Sequence, residues 1–464
     1  MRARNLEIAP NEALSRVAGA PLILGNRVRL LKDASENYPA WLDAIRSAQK
    51  WIHLESYIIH DDDTGEMFAD LLAAKARQGV KVRLLYDWIG ALGNSSYGFF
   101  RRLRLAGVDV RRFNPFRFDS PFGWLNRDHR KMLSVDGRVG YITGLCIGRN
   151  WVGSTGLDGW RDTGVEVEGP AVADIDRAFA ETWAVAGGTV PDDELPVAAS
   201  IPVAGNVAVR VVAAAPNLAP IYRTDQLVAA LARRSLWLAD AYFIGTSSYV
   251  QALRAAAQSG VDVRLLIPGV SDIPVMRALS RAGLRPLLEA GVRVFEWNGV
   301  MMHAKTAVAD GYWARVGSTN LNLVSWTGNW ELDLVVEDEG FARSMEAAYL
   351  DDLSNSTEIV LDGSPRPAAV TARAAERPRS REAGSASQTA ARIVRWSNAV
   401  GAAITNRRQL GPAERVLMYW GAGLLAVLAF IAAYWPRGIA YPIAFLCAWI
   451  SVSLIIRAVR LTGN

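Results

Sequence analysis

The chain has 464 residues, with 51 Lys and Arg against 46 Asp and Glu, too long for one ordinary core and pointing to two domains with appendages. The positive excess sits at one end: from Arg366 onward there are 13 Arg, no Lys and 3 Glu, which leaves 38 basic and 43 acidic residues before it, a balance of −5. A mildly acidic head argues against nucleic acid, which is bound through phosphate neutralisation, and two cysteines, Cys146 and an apolar-segment Cys447, argue against a disulfide framework.

The first twenty residues lack the continuous apolar core of a signal peptide, so the head is not expected to be exported. Trp51–Ile59 (WIHLESYII) predicts a strand, followed by an alanine-rich amphipathic helix. A β-branched strand in Gly79–Asp87 (GVKVRLLYD), another helix and a third strand in Ala106–Asn114 (AGVDVRRFN) complete the series. The same order returns in Leu236–Ile244 (LWLADAYFI), Gly260–Pro268 (GVDVRLLIP) and Ala290–Asn298 (AGVRVFEWN). Any one echo is commonplace at a helix-to-strand junction, but three in the same order indicate an internal repeat. Two α/β lobes are therefore expected, at 1–190 and 206–363, with a seam near Gly187–Asn206 and a site in the cleft between copies.

His53 lies on the first strand, and His60 precedes Asp61, Asp62 and Asp63. That acidic run reads as a solvated turn rather than a metal site. Glu55 and Asp240 each precede a tyrosine, Tyr57 and Tyr242, by two residues and either line the cleft or support it. Phe113, Phe116, Phe118, Phe122 and Trp124 surround Arg117. The cluster reads as inter-lobe packing or as a lip at lipid headgroup level.

The chemistry lies in His129-Arg130-Lys131 followed by Asp136, and His303-Ala304-Lys305 followed by Asp310. Two of four histidines thus occupy equivalent points of the repeat. On an extended strand residues i and i+2 share a face, so each His projects with its Lys. Two imidazoles and two ammonium groups around one phosphoryl group supply nucleophile, proton donor and charge stabilisation, with no metal or cofactor required. Asp136 and Asp310 each precede a glycine and read as structural turn residues.

Residues 364–410 read as a flexible basic linker with a possible amphipathic helix, in which Ile393, Trp396, Val400 and Ile404 recur at helical spacing. Val416–Trp435 and Ile439–Ile456 are uncharged and long enough to cross a bilayer, so 416–457 is expected to be a C-terminal transmembrane hairpin. Arg415, Arg457 and Arg460 flank it, with only Arg437 in the turn, which places both ends and the head in the cytoplasm.

The duplicated HxKxxxxD pattern resembles the signature of the phospholipase D superfamily. Gly317-Ser318-Thr319-Asn320 and Asn329-Trp330-Glu331 are similar to its GSxN and NxE elements, and the stretch Asn26–Asp338 resembles bacterial cardiolipin synthases in particular. The resemblance implies two duplicated phospholipase D-type α/β/α lobes with the active site between them. It implies Ser318 and Asn320 as phosphate donors, Glu331 as the partner of His303, and Asp162 as the partner of His129. His129 is expected to be the nucleophile. Cys146, Gly144 and Asn322 depart from the family pattern, which puts the phosphate grip mainly on the second half.

The implied reaction is phosphatidyl transfer between two phosphatidylglycerol molecules, with release of glycerol, at the inner membrane of a bacterium. Hydrolysis of phospholipid head groups is the alternative, since one intermediate serves both acceptors. A nuclease is disfavoured by the acidic head, and a non-catalytic scaffold by two intact HxK pairs. The residues do not fix an oligomeric state.

Overall fold

The β-branched runs form parallel strands wherever an alanine-rich helix links them, because only a crossover helix returns the chain to the same sheet edge. The structure is a computed structural model that describes residues 12–116, 125–153, 158–361, 366–367, 412–435 and 437–461. In the first half the strands are β1 (Ile23–Lys32), β2 (Trp51–Ser56), β3 (Lys81–Asp87), β4 (Asp109–Phe113), β5 (Lys131–Val135), β6 (Val139–Thr143) and β7 (Thr163–Glu168). In the second half they are β8 (Val207–Ala214), β9 (Ser235–Ala239), β10 (Asp262–Pro268), β11 (Arg293–Trp297), β12 (Thr306–Ala309), β13 (Trp313–Gly317), β14 (Glu331–Glu337), β15 (Ser356–Ile359) and β16 (Arg366–Pro367).

Outward from the centre, one half runs β1-β7-β6-β5-β2-β3-β4 and the other β8-β14-β13-β12-β9-β10-β11, the same order position by position. The echoed strands β2, β3 and β4 pair in parallel, as do β9, β10 and β11. The expected pair of lobes differs in one respect: their strands join in a single sheet, because β1 and β8 pair antiparallel at the centre. That pairing removes two exposed edges, each a row of unsatisfied backbone groups.

Asp136 and Gly137 have φ of 57° and 63°, and Asp310 and Gly311 have 53° and 66°. Two successive left-handed residues make the tight turns that return β5 to β6 and β12 to β13. Each Asp then holds the start of the neighbouring strand. Asp136 accepts from the backbone N–H of Gln49, Lys50 and Trp51 at 2.8, 2.8 and 2.9 Å. Asp310 accepts from Arg233, Arg234 and Ser235 at 2.9, 2.7 and 3.0 Å.

Helices Pro412–Tyr434 and Arg437–Leu461 lie where the hairpin is expected. Among the described residues no helix is long and apolar enough to cross a membrane. Apart from Arg366–Pro367, which pairs with β15, the expected linker at 364–410 lies outside the described residues, as do Arg117, Phe118, Phe122 and Trp124.

Candidate active site

Each HxK segment enters the sheet beside the carboxylate-bearing strand of the other half. Asp128 bridges Trp330 and Arg161 bridges Met302, both in parallel sense. His129 N–H donates to Trp330 C=O at 2.9 Å, and His303 N–H donates to Arg161 C=O at 2.7 Å. The residue after each bridge therefore meets its counterpart across the halves. His129 Nδ1 lies 2.9 and 3.1 Å from the two carboxylate oxygens of Glu331, and His303 Nδ1 lies 2.7 Å from Asp162 Oδ2. This corrects the partners expected from sequence: Glu331 belongs to His129 and Asp162 to His303. An Nδ1–H donated to a carboxylate leaves Nε2 as the lone-pair nitrogen.

The carboxylates are supported differently. Glu331 is fully buried and takes hydrogen bonds from Ser318 Oγ at 2.6 Å and Asn329 Nδ2 at 3.1 Å. Burial pushes its carboxyl up to about 7. Asp162 takes Trp151 Nε1–H at 3.0 Å and Thr163 N–H at 2.8 Å. Burial would raise Asp162, but His303, Lys305 and Trp151 outweigh it and hold the carboxyl at about 2. His303 is lowered to about 4, by burial first and by the charge of Lys305 second.

Two departures from the family pattern follow from this packing. A Cβ at Gly144 would stand 2.1 Å from Asp162 Oδ1, so only glycine leaves room for the carboxylate there. Asn322 accepts Ser325 N–H at 3.0 Å and donates from Nδ2 to Tyr242 C=O at 3.0 Å; an aspartate has no hydrogen for the second bond. Ser318, expected on the phosphate, instead donates to Glu331 and accepts Leu332 N–H at 2.9 Å. It holds the carboxylate in place. Asn320 is buried, and its Oδ1 has no partner among the described residues.

Lys131 Nζ donates to His129 C=O at 2.5 Å, and Lys305 Nζ donates to His303 C=O. Lys305 is lowered to about 8, by burial and then by Lys131, against the pull of Asp162. The charge of Lys131 acts on Lys305, and both act on Cys146, so the two HxK pairs face one locus. The buried Cys146 thiol, also pushed up by burial, feels both lysines.

The other candidates support the structure around the site, and Asp240 also acts on Lys305 through space. Asp240 accepts Leu321 N–H at 2.8 Å and Tyr242 N–H at 3.0 Å, and Glu55 is buried among Arg130, Thr182 and Asp128. His53 is buried against Phe179, with Nδ1 2.8 Å from Asp176. Asp62 caps the helix Asp63–Arg77 by accepting Gly65 N–H at 3.0 Å.

Sequence reasoning did not single out Trp151 or Arg161. The Arg161 guanidinium grips Asp352 at 2.7 and 2.9 Å, reaches Asp33 at 3.2 Å and bonds Thr163 Oγ1 at 2.9 Å. It ties the start of β7 to the second half beside His303. Neither residue belongs to a periodic pattern, so no local signal marks it.

A family model described as a cardiolipin synthase, phospholipase D-like domain matches residues 41–183 and 228–353. A cardiolipin synthase of Alkalihalophilus pseudofirmus is 33% identical over 344 residues, covering 73% of this chain and 68% of that protein. Cardiolipin synthase A of Pseudomonas fluorescens is 35% identical over 358 residues, covering 75% and 72%. Among solved structures, phosphatidylserine synthase of Haemophilus influenzae has a TM-score of 0.61 at 13% identity, covering 75% of this chain and 92% of that one.

Proposed function

The chain belongs to the cardiolipin synthase family of phospholipase D-like proteins and is a phosphatidyltransferase, and from that premise we propose that it joins two phosphatidylglycerol molecules through a phosphohistidine. The observation that carries this reading is the pair of imidazoles, each tied at Nδ1 to a buried carboxylate of the other half, beside Lys131 and Lys305.

Nε2 of one histidine attacks phosphorus, and the P–N bond forms as the P–O bond to glycerol breaks. The departing oxygen takes a proton from Nε2 of the other histidine, which enters the step as the imidazolium with both ring nitrogens protonated. That histidine, now neutral, removes a proton from the glycerol hydroxyl of a second phosphatidylglycerol. The hydroxyl oxygen attacks phosphorus, the P–N bond breaks, and cardiolipin leaves. Lys131 and Lys305 stabilise the charge on the non-bridging oxygens throughout, with Asn320 as the remaining side-chain donor.

The C-terminal helices serve in this reading as a membrane hairpin. Support comes from the two long uncharged stretches and from the exposure of their apolar side chains, for example Leu425 at 62%, Phe430 at 62% and Phe445 at 69%. Trp449 packs 5.5 Å from Phe116, and Pro412–Tyr434 packs along Pro274–Ala282. The hairpin thus meets both halves. Flanking Arg415, Arg457 and Arg460 orient the head to the cytoplasm.

Lipid mass spectrometry of a cardiolipin-deficient bacterial host expressing the chain tests the reaction. Cardiolipin is the expected product. Accumulation of phosphatidic acid without cardiolipin establishes hydrolysis instead.

A further inference from the structure

Two tyrosines stand at the same point of the repeat, Tyr57 after β2 and Tyr242 after β9, although their neighbours differ, Ser56 and Ile58 against Ala241 and Phe243. The ring of Tyr57 lies 5.0 Å from the His129 imidazole with its plane at 66°, and 5.3 Å from Lys131 Nζ. The ring of Tyr242 lies 6.0 Å from the His303 imidazole at 83°, and 5.9 Å from Lys305 Nζ. The Tyr242 hydroxyl is taken by Asp272 Oδ1 at 2.7 Å, so it is the ring that meets the lysine and the histidine.

A buried ammonium has to be compensated for the water it loses. A carboxylate in contact would do this, but it would cancel the positive field that phosphoryl oxygens require. Here each lysine donates to one backbone carbonyl, of its own histidine; among the described residues no carboxylate is in ion-pair contact with either, and Asp162 and Asp240 act on Lys305, and Glu331 on Lys131, only across a longer gap. An aromatic face attracts the cation through its quadrupole without binding any particular hydrogen. An ammonium has three hydrogens, so those not given to the carbonyl stay available to substrate. The edge-on contact also limits rotation of each imidazole about its Nδ1 hydrogen bond, which keeps Nε2 aimed.

We propose that Tyr57 and Tyr242 are positioning residues, each holding the lysine and histidine of its own half toward the phosphoryl group by its ring rather than its hydroxyl. The inference rests on the two-histidine reading above and adds to it the means by which the cations are held.

The test compares Tyr57→Phe, Tyr57→Leu, Tyr242→Phe and Tyr242→Leu in the full chain. Two readouts are used: the pH profile of kcat/KM with phosphatidylglycerol, and calorimetric binding of inorganic phosphate. The Phe variants are expected to retain most of the activity and phosphate affinity. The Leu variants are expected to lose about tenfold in both, and Tyr242→Leu to move the alkaline limb to lower pH. Phosphate affinity and pH limb unchanged in the Leu variants overturn the proposal, as do Phe variants as impaired as Leu.

If a Leu variant fails to fold, phenylalanines of increasing ring fluorination at the same position keep the shape and weaken the quadrupole. A graded loss of phosphate affinity supports the proposal, and a flat series overturns it. Wild-type chain that binds phosphate but forms no cardiolipin overturns the proposed reaction and leaves the tyrosine test standing.

Discussion

Glu331→Gln is the perturbation that most directly tests the crossed pairing of histidines and carboxylates. Glutamine keeps the shape and packing of the side chain but removes the charge that, above a pH of about 7, both oxygens direct at His129 Nδ1, at 2.9 and 3.1 Å. Replacing a charge-assisted hydrogen bond by a neutral one costs about 1.5–3 kcal/mol, roughly 10- to 100-fold in rate. A loss approaching about 10⁴-fold follows if the amide N–H faces the ring and forces the other tautomer, as in serine proteases that lose the equivalent charge. The chain has four histidines, so histidine-selective ¹⁵N labelling resolves the imidazoles one by one. Glu331→Gln should move the ring resonances of His129 and leave those of His303 in place, and Asp162→Asn should do the reverse. Movement of His303 by Glu331→Gln, with His129 unchanged, refutes the crossed arrangement.

Either His129→Ala or His303→Ala should reduce turnover to background in the cardiolipin assay, because attack and leaving-group protonation need separate imidazoles. Exhaustive chelation should leave activity intact, and a loss restored by a divalent ion contradicts the role given to Lys131 and Lys305. Because Lys305 is lowered to about 8, kcat/KM should fall as pH rises through about 8 and the ammonium turns neutral, and Lys305→Arg should displace that limb upward. Asp136→Ala releases three backbone N–H groups and should lower stability by about 2 kcal/mol, read as a reduced unfolding temperature. Its kcat per folded molecule should stay near wild type, and a selective loss of kcat contradicts a structural role.

The order of elements was legible in the chain because the pattern of each strand and crossover helix is local. The three echoes locate β2, β3 and β4 and their counterparts β9, β10 and β11. HxK spacing is legible for the same reason, since alternation along an extended segment sends His and Lys to one side. The Asp-Gly pairs at 136 and 310 announce their turns through backbone preferences that any reader of sequence can apply.

Which carboxylate serves which histidine is a different kind of fact. Within each half His129 precedes Asp162 and His303 precedes Glu331, so proximity along the chain suggests the wrong partner in both cases. The bridges Asp128 to Trp330 and Arg161 to Met302 decide the matter, and they run between the two halves that β1 and β8 join in one sheet. Ser318 and Gly144 show the same limit. One donates a hydroxyl to a carboxylate thirteen residues on, and the other is glycine because Asp162 occupies the space a Cβ would need. Residue identity and local spacing determined the chemistry available to this protein; the register between halves, a long-range consequence of sheet pairing, decided how that chemistry is wired.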